Sequence, residues 1–223
     1  MKSTRTFEII AVTLILLSIF TFYIPHEKKA PLPTGEVPVG VFVYSAIPLD
    51  CNMTFEEGWN LVSFPCFSEP ELMQTFETGL EKNISSFHWY NPVDDADHWK
   101  AYNPILPSWV IQDINQIYKE NGYWVKSPSI VKFDYDGEKA SVSRIDIKQG
   151  WNLIGYPTNN SRLINESISF MYSSVHMYNT SDTSDYWKVH YNPPVAQNDL
   201  EYFFVYYGYW VNSDENTSWI INW

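Results

Sequence analysis

The sequence is poor in positive charge. It has 14 Lys and Arg residues against 26 Asp and Glu, which gives a formal net charge of −12 over 223 residues. A surface this acidic repels phosphate backbones and anionic lipid headgroups, so nucleic acid is excluded as a partner. Cations, neutral glycans and other proteins remain. Disorder over most of the chain is also excluded, because 17% of the residues are aromatic.

Motifs that mark a known reaction are missing. There is no His-Glu-x-x-His, no Gly-x-Ser-x-Gly and no glycine loop that could cradle phosphate. His88 and His176 fall at matching strand positions, and one such histidine per copy of a repeat does not make a zinc site. We therefore expect a protein that is not an enzyme.

The one long apolar run lies at the N-terminus. Residues 7–24 carry Glu8 as their only charge, follow two basic residues, and lead to no small-residue cleavage site. This pattern predicts an uncleaved membrane anchor within residues 1–29, with the rest of the chain outside the cell membrane. The alternatives are a cleaved signal, which would leave a secreted protein, and a helix like that of type IV pilin subunits. Residues 30–40 hold three prolines and predict a stalk.

The remaining chain contains one unit twice. Residues 58–65 (GWNLVSFP) match residues 150–157 (GWNLIGYP), and four further blocks follow in the same order in both copies. These are His-x-Tyr-Asn, Asp-x-Trp-Lys, Tyr-Asn-Pro and Gly-Tyr-Trp-Val, which begin at positions 88, 97, 102 and 122 and again at 176, 185, 191 and 208. We therefore divide the chain into repeat units at 41–136 and 137–223.

Periodicity predicts the elements of each unit. Alternating apolar residues from Met53 predict a β-hairpin with the Gly-Trp-Asn-Leu block. A capping box followed by Leu72, Phe76 and Leu80 predicts a helix, whose counterpart carries Ile164, Ile168 and Met171. A second helix is predicted over Val110, Ile114 and Ile117, and strands at 86–90, 99–103 and 130–135, with 219–223 closing the second copy. The expected fold class is α+β: two tandem β-rich units with two short helices each, behind a transmembrane helix.

The blocks that open and close each unit resemble a repeat module of archaeal and bacterial cell-surface proteins. The opening block is Gly-Trp-Asn-Leu-(Val/Ile)-x-(Phe/Tyr)-Pro and the closing block is Gly-Tyr-Trp-Val. The resemblance covers about residues 53–223. It implies a surface location beside anchors and adhesion-type modules, and no assigned activity.

The two cysteines, Cys51 and Cys66, flank the predicted hairpin. Their counterparts in the second copy are Ser143 and Thr158, so both cysteines are absent there together. Facing positions on adjacent antiparallel strands suit a disulfide in an oxidising compartment. Two free buried thiols are the alternative.

Each copy has an acidic loop with the pattern Asn-x-x-Asp-x-x-Asp, at residues 91–97 and 179–185. A turn held by Asx hydrogen bonds is the default interpretation. Calcium is the other possibility, because hard cations bind several oxygen ligands. Its candidate ligands are Asp94, Asp97, Asp182 and Asp185.

The tryptophans divide into two groups. Three pairs recur in both copies and are predicted to be core or near-core aromatics: Trp59/Trp151, Trp99/Trp187 and Trp124/Trp210. Those without a counterpart are the candidate ligand-binding residues: Trp89, Trp109, Trp219 and Trp223.

We expect a membrane-anchored extracytoplasmic protein that acts in adhesion, or in glycan or protein recognition, or as a structural surface element. The alternative is a surface glycan hydrolase with carboxylates in a cleft between the repeats. Six sequons allow glycosylation, at Asn52, Asn83, Asn159, Asn165, Asn179 and Asn216.

Overall fold

Short antiparallel strands make up nearly all the regular structure. The computed structural model describes residues 48–73, 83–107, 109–138 and 142–222, which belong to one unit beginning at residue 45. Within these residues no helix is long and apolar enough to span a membrane. The predicted anchor at 7–24 and the stalk at 30–40 lie outside them.

Among the described residues, the first copy contains eight strands. They are β1 (Pro48–Phe55), β2 (Gly58–Val62), β3 (Glu71–Leu72), β4 (Ser86–Tyr90), β5 (Trp99–Tyr102), β6 (Gln116–Ile117), β7 (Tyr123–Ser127) and β8 (Val131–Glu138). A four-stranded sheet has the order β2-β7-β4-β5, and two strand pairs, β1-β8 and β3-β6, accompany it. All pairings are antiparallel.

The second copy repeats this topology. Its strands are β9 (Val142–Ile147), β10 (Gly150–Gly155), β11 (Arg162–Leu163), β12 (Tyr172–Tyr178), β13 (Trp187–Tyr191), β14 (Tyr202–Phe203), β15 (Gly208–Ser213) and β16 (Thr217–Asn222), with a four-residue helix α1 (Ile164–Ser167). The sheet order is β10-β15-β12-β13, beside the pairs β9-β16 and β11-β14. Each strand of one copy therefore has a counterpart in the other.

Each copy has its own hydrophobic core. The core of the first copy includes Phe55, Phe64, Phe87, Tyr123 and Phe133. In the second copy the core includes Tyr156, Val175, Phe203, Tyr209 and Trp219. One face of each four-stranded sheet packs on its core, and the opposite face points outward because side chains alternate along a strand.

The α+β prediction is wrong. Glu71–Leu72 and Gln116–Ile117 are strands that pair with each other, where two helices were expected. In the second copy the helix ends at Ser167. Apolar residues spaced by three or four over so short a stretch do not distinguish a helix from an extended segment that covers a core. Residues 74–80 of the first predicted helix lie outside the described residues.

The predicted hairpin is also wrong in its pairing. β1 pairs with β8 and β2 pairs with β7, so the two neighbouring strands belong to different sheets. The disulfide nevertheless forms: Cys51 in β1 bonds to Cys66 in the turn after β2, with their Cα atoms 6.0 Å apart. The disulfide therefore ties the strand pair β1-β8 to the turn that follows β2 of the four-stranded sheet.

The copies meet through reciprocal backbone contacts. Ser63 N–H donates to the Tyr206 carbonyl at 2.8 Å, and Gly155 N–H donates to the Glu120 carbonyl at the same distance. Since Ser63 corresponds to Gly155 and Glu120 to Tyr206, the contact is isologous, as in a two-fold dimer. An internal pseudo-two-fold axis thus relates the copies.

Candidate functional site

The outward faces of the two four-stranded sheets carry ten ring side chains that line two pockets, and six of the ten are tryptophans. We call this set the aromatic face. It comprises Trp59, His88, Tyr90, Trp99, Trp124, Trp151, His176, Tyr178, Trp187 and Trp210. Four of the indoles are substantially exposed, Trp59 at 40%, Trp99 at 47%, and Trp151 and Trp187 at 43%.

The Gly-Trp-Asn-Leu block explains how Trp59 is presented. Gly58 has φ +97°, a left-handed conformation that favours glycine and turns the chain into β2. The buried Asn60 side chain then holds this turn: its Oδ1 accepts from Glu56 N–H at 2.9 Å, and its Nδ2 donates to the Glu56 carbonyl at 2.8 Å. Trp59, between these two residues, is left pointing outward.

The second copy builds the same turn. Gly150 has φ +91°. Asn152 Oδ1 accepts from Lys148 N–H at 2.9 Å and Nδ2 donates to the Lys148 carbonyl at 2.7 Å. Trp151 is therefore presented like Trp59, which accounts for the recurrence of this block in the sequence.

The first pocket of the aromatic face has a volume of about 460 Å³. Trp59 lies edge-on to Trp124 with ring centroids 6.3 Å apart, and 5.4 Å from the His88 ring. Tyr178 comes from the other copy and lies 5.1 Å from Trp124, while Trp99 completes the lining. The site is therefore composite, since the second copy supplies part of its wall.

The second pocket is the counterpart of the first, also with a volume of about 460 Å³. Trp151 lies edge-on to Trp210 at 6.2 Å and 5.2 Å from His176. Tyr90 of the first copy lies 5.2 Å from Trp210, and Trp187 completes this lining. Each copy thus contributes one tyrosine to the pocket of the other.

The pockets adjoin each other. Trp124 of the first pocket lies 5.9 Å from Trp187 of the second, and Trp210 of the second lies 5.9 Å from Trp99 of the first. The six indoles therefore form one continuous surface around the pseudo-two-fold axis.

The histidines of the pockets are uncharged at neutral pH. Burial lowers the pKa of His88 and of His176. His88 Nε2 lies 3.2 Å from Ser86 Oγ, and His176 Nε2 lies 3.0 Å from Ser174 Oγ. These contacts fix both rings, so each pocket presents a neutral polar group among apolar walls.

One charged group distinguishes the pockets. Lys126 Nζ lies 5.6 Å from the Trp59 ring centroid, a cation–π distance. Asn212 holds the corresponding position in β15, opposite Trp151. No carboxylate lines either pocket among the described residues. The arrangement suits a neutral ligand with an apolar face and a few polar groups.

The predicted burial of the tryptophans is wrong for four of the six recurring residues and for Trp219, whereas a ligand-binding role of Trp89, Trp109 or Trp223 stays a prediction. The recurring pairs make the exposed face, whereas Trp219, a predicted ligand-binding residue, is 1% exposed in the second core. Trp109 is 81% exposed but stands apart from the face. Trp89 packs against the first core and lines a different cleft, and Trp223 lies outside the described residues.

That cleft lies between the repeats and has a volume of about 610 Å³. Three carboxylates line it, from Asp113, Glu120 and Asp146. Hydrogen bonds from Ser218 and Arg144, at 2.6 and 3.0 Å, lower the pKa of Asp146. This carboxylate therefore stays ionised, which suits the nucleophile or base of a glycosidase and not its general acid.

The acidic loops bind their own lysines. Lys100 Nζ lies 2.7 Å from Asp94 and 3.4 Å from Asp97, and its hydrogen bond lowers the pKa of Asp94. In the second copy, Lys188 Nζ lies 2.8 Å from Asp182 and 3.3 Å from Asp185. Within the described residues, no group of three or more His, Cys, Asp or Glu side chains could hold a metal ion. In each loop, a lysine ammonium group lies among the carboxylates that are the candidate calcium ligands.

All six sequon asparagines lie at least partly exposed. Asn52, Asn83, Asn165 and Asn216 are exposed, and Asn159 and Asn179 are half-buried. Two of the side chains also hold turns: Asn179 Oδ1 accepts from Ser181 N–H at 3.1 Å, and Asn216 Oδ1 accepts from Gln149 N–H at 2.9 Å.

Comparison with known proteins identifies no relative: no family model, curated protein or solved structure matches this chain.

Proposed function

We propose that this chain is a membrane-anchored extracytoplasmic binding protein that recognises neutral glycans through the aromatic face. The observation that carries the proposal is the pair of aromatic pockets. Pyranose rings have an apolar C–H face that stacks on indole and hydroxyls that bond to polar groups at the rim. Indole walls around one neutral histidine supply both kinds of contact.

The charge of the protein and of its pockets supports a neutral ligand. The net charge of −12 disfavours anions, including acidic glycans. A cationic ligand would meet Lys126 at Trp59 and would find no carboxylate in the lining of either pocket. A volume of about 460 Å³ is also larger than a quaternary ammonium headgroup needs and suits one or two sugar rings.

Binding is favoured over hydrolysis by the position of the carboxylates. Those that line the cleft between the repeats are absent from the lining of the aromatic pockets. Hydrogen bonds from Ser218 and Arg144 also lower the pKa of Asp146, which makes it unsuited to the role of general acid. A protein that stacks sugars on the aromatic face would therefore bring no acid pair to the bound glycosidic bond.

The test is titration of the full-length chain, held in lipid nanodiscs, with cellohexaose, chitohexaose and mannohexaose. We expect binding of at least one of them without release of shorter sugars. Substitution of both Trp59 and Trp151 by alanine should weaken it at least about 30-fold, which corresponds to a buried tryptophan contact worth roughly 2 kcal/mol. Trp109→Ala, an exposed tryptophan outside the aromatic face, is the matched control. Equal loss in the control, or no binding by the wild-type chain, contradicts the proposal.

A further inference from the structure

The two pockets are related by the pseudo-two-fold axis, and their contacts match pair by pair. Trp124 lies 5.1 Å from Tyr178, and Trp210 lies 5.2 Å from Tyr90. The two bridging contacts between indoles are both 5.9 Å. The backbone bridges are reciprocal as well, Val62 with Tyr207 and Asn121 with Ile154.

The glycines of the closing blocks locate the axis. A Cβ atom on Gly208 would lie 3.3 Å from the Gly122 Cα, although these are equivalent positions in the two copies. Equivalent residues of two related copies come this close only near the axis that relates the copies. Trp124 and Trp210 lie two residues further along, so the axis passes between the two pockets.

We propose that the chain holds two glycan strands at once, one in each pocket and in opposite directions, and so cross-links them. This inference rests on the proposed function. A two-fold axis that emerges between two sites on one surface reverses any direction lying in that surface. A linear glycan has distinct reducing and non-reducing ends. A single glycan strand that crosses both pockets would therefore enter the second pocket in the opposite direction from the first.

Each pocket is complete for its own strand. It has three indoles, one histidine fixed by a serine, and one tyrosine from the other copy. The reciprocal tyrosines hold both pockets in one rigid arrangement, because each is packed on an indole of the opposite copy. No linker separates the sites, so the antiparallel geometry is built into the fold.

The pockets differ in charge at position 126, which allows them to be told apart. Lys126 lies over Trp59, whereas Asn212 is opposite Trp151 in the second sheet. Lys126→Asn should therefore change binding in the first pocket and leave the second unchanged. In the wild-type chain this difference should produce two dissociation constants rather than one.

The experiment measures stoichiometry and cross-linking separately. Isothermal titration of the full-length chain with the three hexasaccharides should give two bound molecules per chain. Trp59→Ala and Trp151→Ala should each give one, and Trp109→Ala should retain two. With a long soluble polymer, hydroxyethyl cellulose for the β-glucan case, the wild-type chain should increase viscosity and light scattering. Each single-pocket variant should bind the polymer without cross-linking it.

A second measurement needs no variant. In ¹⁹F spectra of the chain labelled with 5-fluorotryptophan, resonances of both pockets should shift on addition of hexasaccharide, while those of Trp109 and Trp219 stay in place. One molecule per chain, lost completely with either Trp59→Ala or Trp151→Ala, would overturn the twin-site inference and leave the proposed function intact. Absence of all hexasaccharide binding would overturn both. Sedimentation that shows a dimer of the wild-type chain, which Trp59→Ala or Trp151→Ala dissociates, would also overturn the inference.

Discussion

Truncation of Trp219 should destabilise the second copy far more than truncation of Trp151. The Trp219 ring lies 5.6 Å from Phe203, 5.8 Å from Phe170 and 6.0 Å from Tyr156. Its indole N–H donates to the Ser167 carbonyl at 2.8 Å. Replacing such a buried tryptophan by alanine leaves a cavity and typically costs about 3–5 kcal/mol.

The exposed tryptophan provides the contrast. Trp151 is 43% exposed and loses mainly its contacts with Trp210 and His176 on truncation. Each aromatic pair of this kind contributes about 0.5–1.5 kcal/mol beyond area burial, so the two contacts together contribute about 1–3 kcal/mol. We therefore expect Trp219→Ala to cost roughly 2 kcal/mol more than Trp151→Ala.

The assay is thermal unfolding followed by far-UV circular dichroism. For a unit of 150–250 residues, 1 kcal/mol lowers Tm by about 2–4 °C, so the two variants should differ by roughly 4–8 °C. Trp219→Phe, which keeps a ring in the core but not the indole N–H, should fall between them. Equal melting of Trp151→Ala and Trp219→Ala would refute the assignment of these side chains to surface and core.

Two further predictions concern the disulfide and pH. Replacing Cys51 and Cys66 by serine should cost about 3 kcal/mol, the chain-entropy value for a loop of 15 residues, and reductant should add nothing to that variant. A reductant effect that persists without the cysteines would contradict this. Because burial lowers the pKa of His88 and His176, the unfolded chain takes up these protons first, so stability should fall as pH drops below about 6.5. Denaturation at several pH values should show this fall, weakened by substituting either histidine with asparagine, whereas a flat profile between pH 7 and 5 would refute it.

Strands were predictable from the sequence where alternation was strong. The segment 86–90 is a strand with the predicted bounds, and Trp99–Tyr102 is one residue shorter than predicted. Strand partners were not predictable. β1 pairs with β8, so Met53 faces Phe133, which lies near the other end of the first copy in the sequence. Alternation of apolar residues does not reveal a partner so distant in sequence. Helices were predicted from three apolar residues each, too few to decide the period.

Recurrence does not predict the candidate site, because a tryptophan repeated in both copies can be buried or exposed. A signal for exposure was present in β7. Tyr123 and Val125 are buried, while Trp124 and Lys126 lie on the other side of the strand. A tryptophan two residues from a lysine in a strand shares its face with a charged group, which indicates exposure. Recurring residues can therefore build a repeated binding surface as well as a repeated core.

The backbone contact between the copies at Gly122 and Gly208 should control glycan binding in both pockets. A Cβ atom on Gly122 would lie 2.5 Å from the Ile154 carbonyl oxygen, and one on Gly208 would lie 2.8 Å from the Val62 carbonyl oxygen. Both contacts are with backbone and cannot be relieved by rotating a side chain. Gly122→Ala should therefore push the copies apart, move the tyrosines away from Trp124 and Trp210, and weaken hexasaccharide binding in both pockets.

The disulfide variant separates this effect from a general loss of stability. Replacing Cys51 and Cys66 by serine removes the bond between β1 and the turn after β2, and neither residue lines a pocket of the aromatic face. We expect this variant and Gly122→Ala both to lower Tm, measured by circular dichroism, while titration at a temperature where both are folded shows lost binding only in Gly122→Ala. Full binding by Gly122→Ala would mean that the pockets do not depend on the contact between the copies, which would contradict their composite construction.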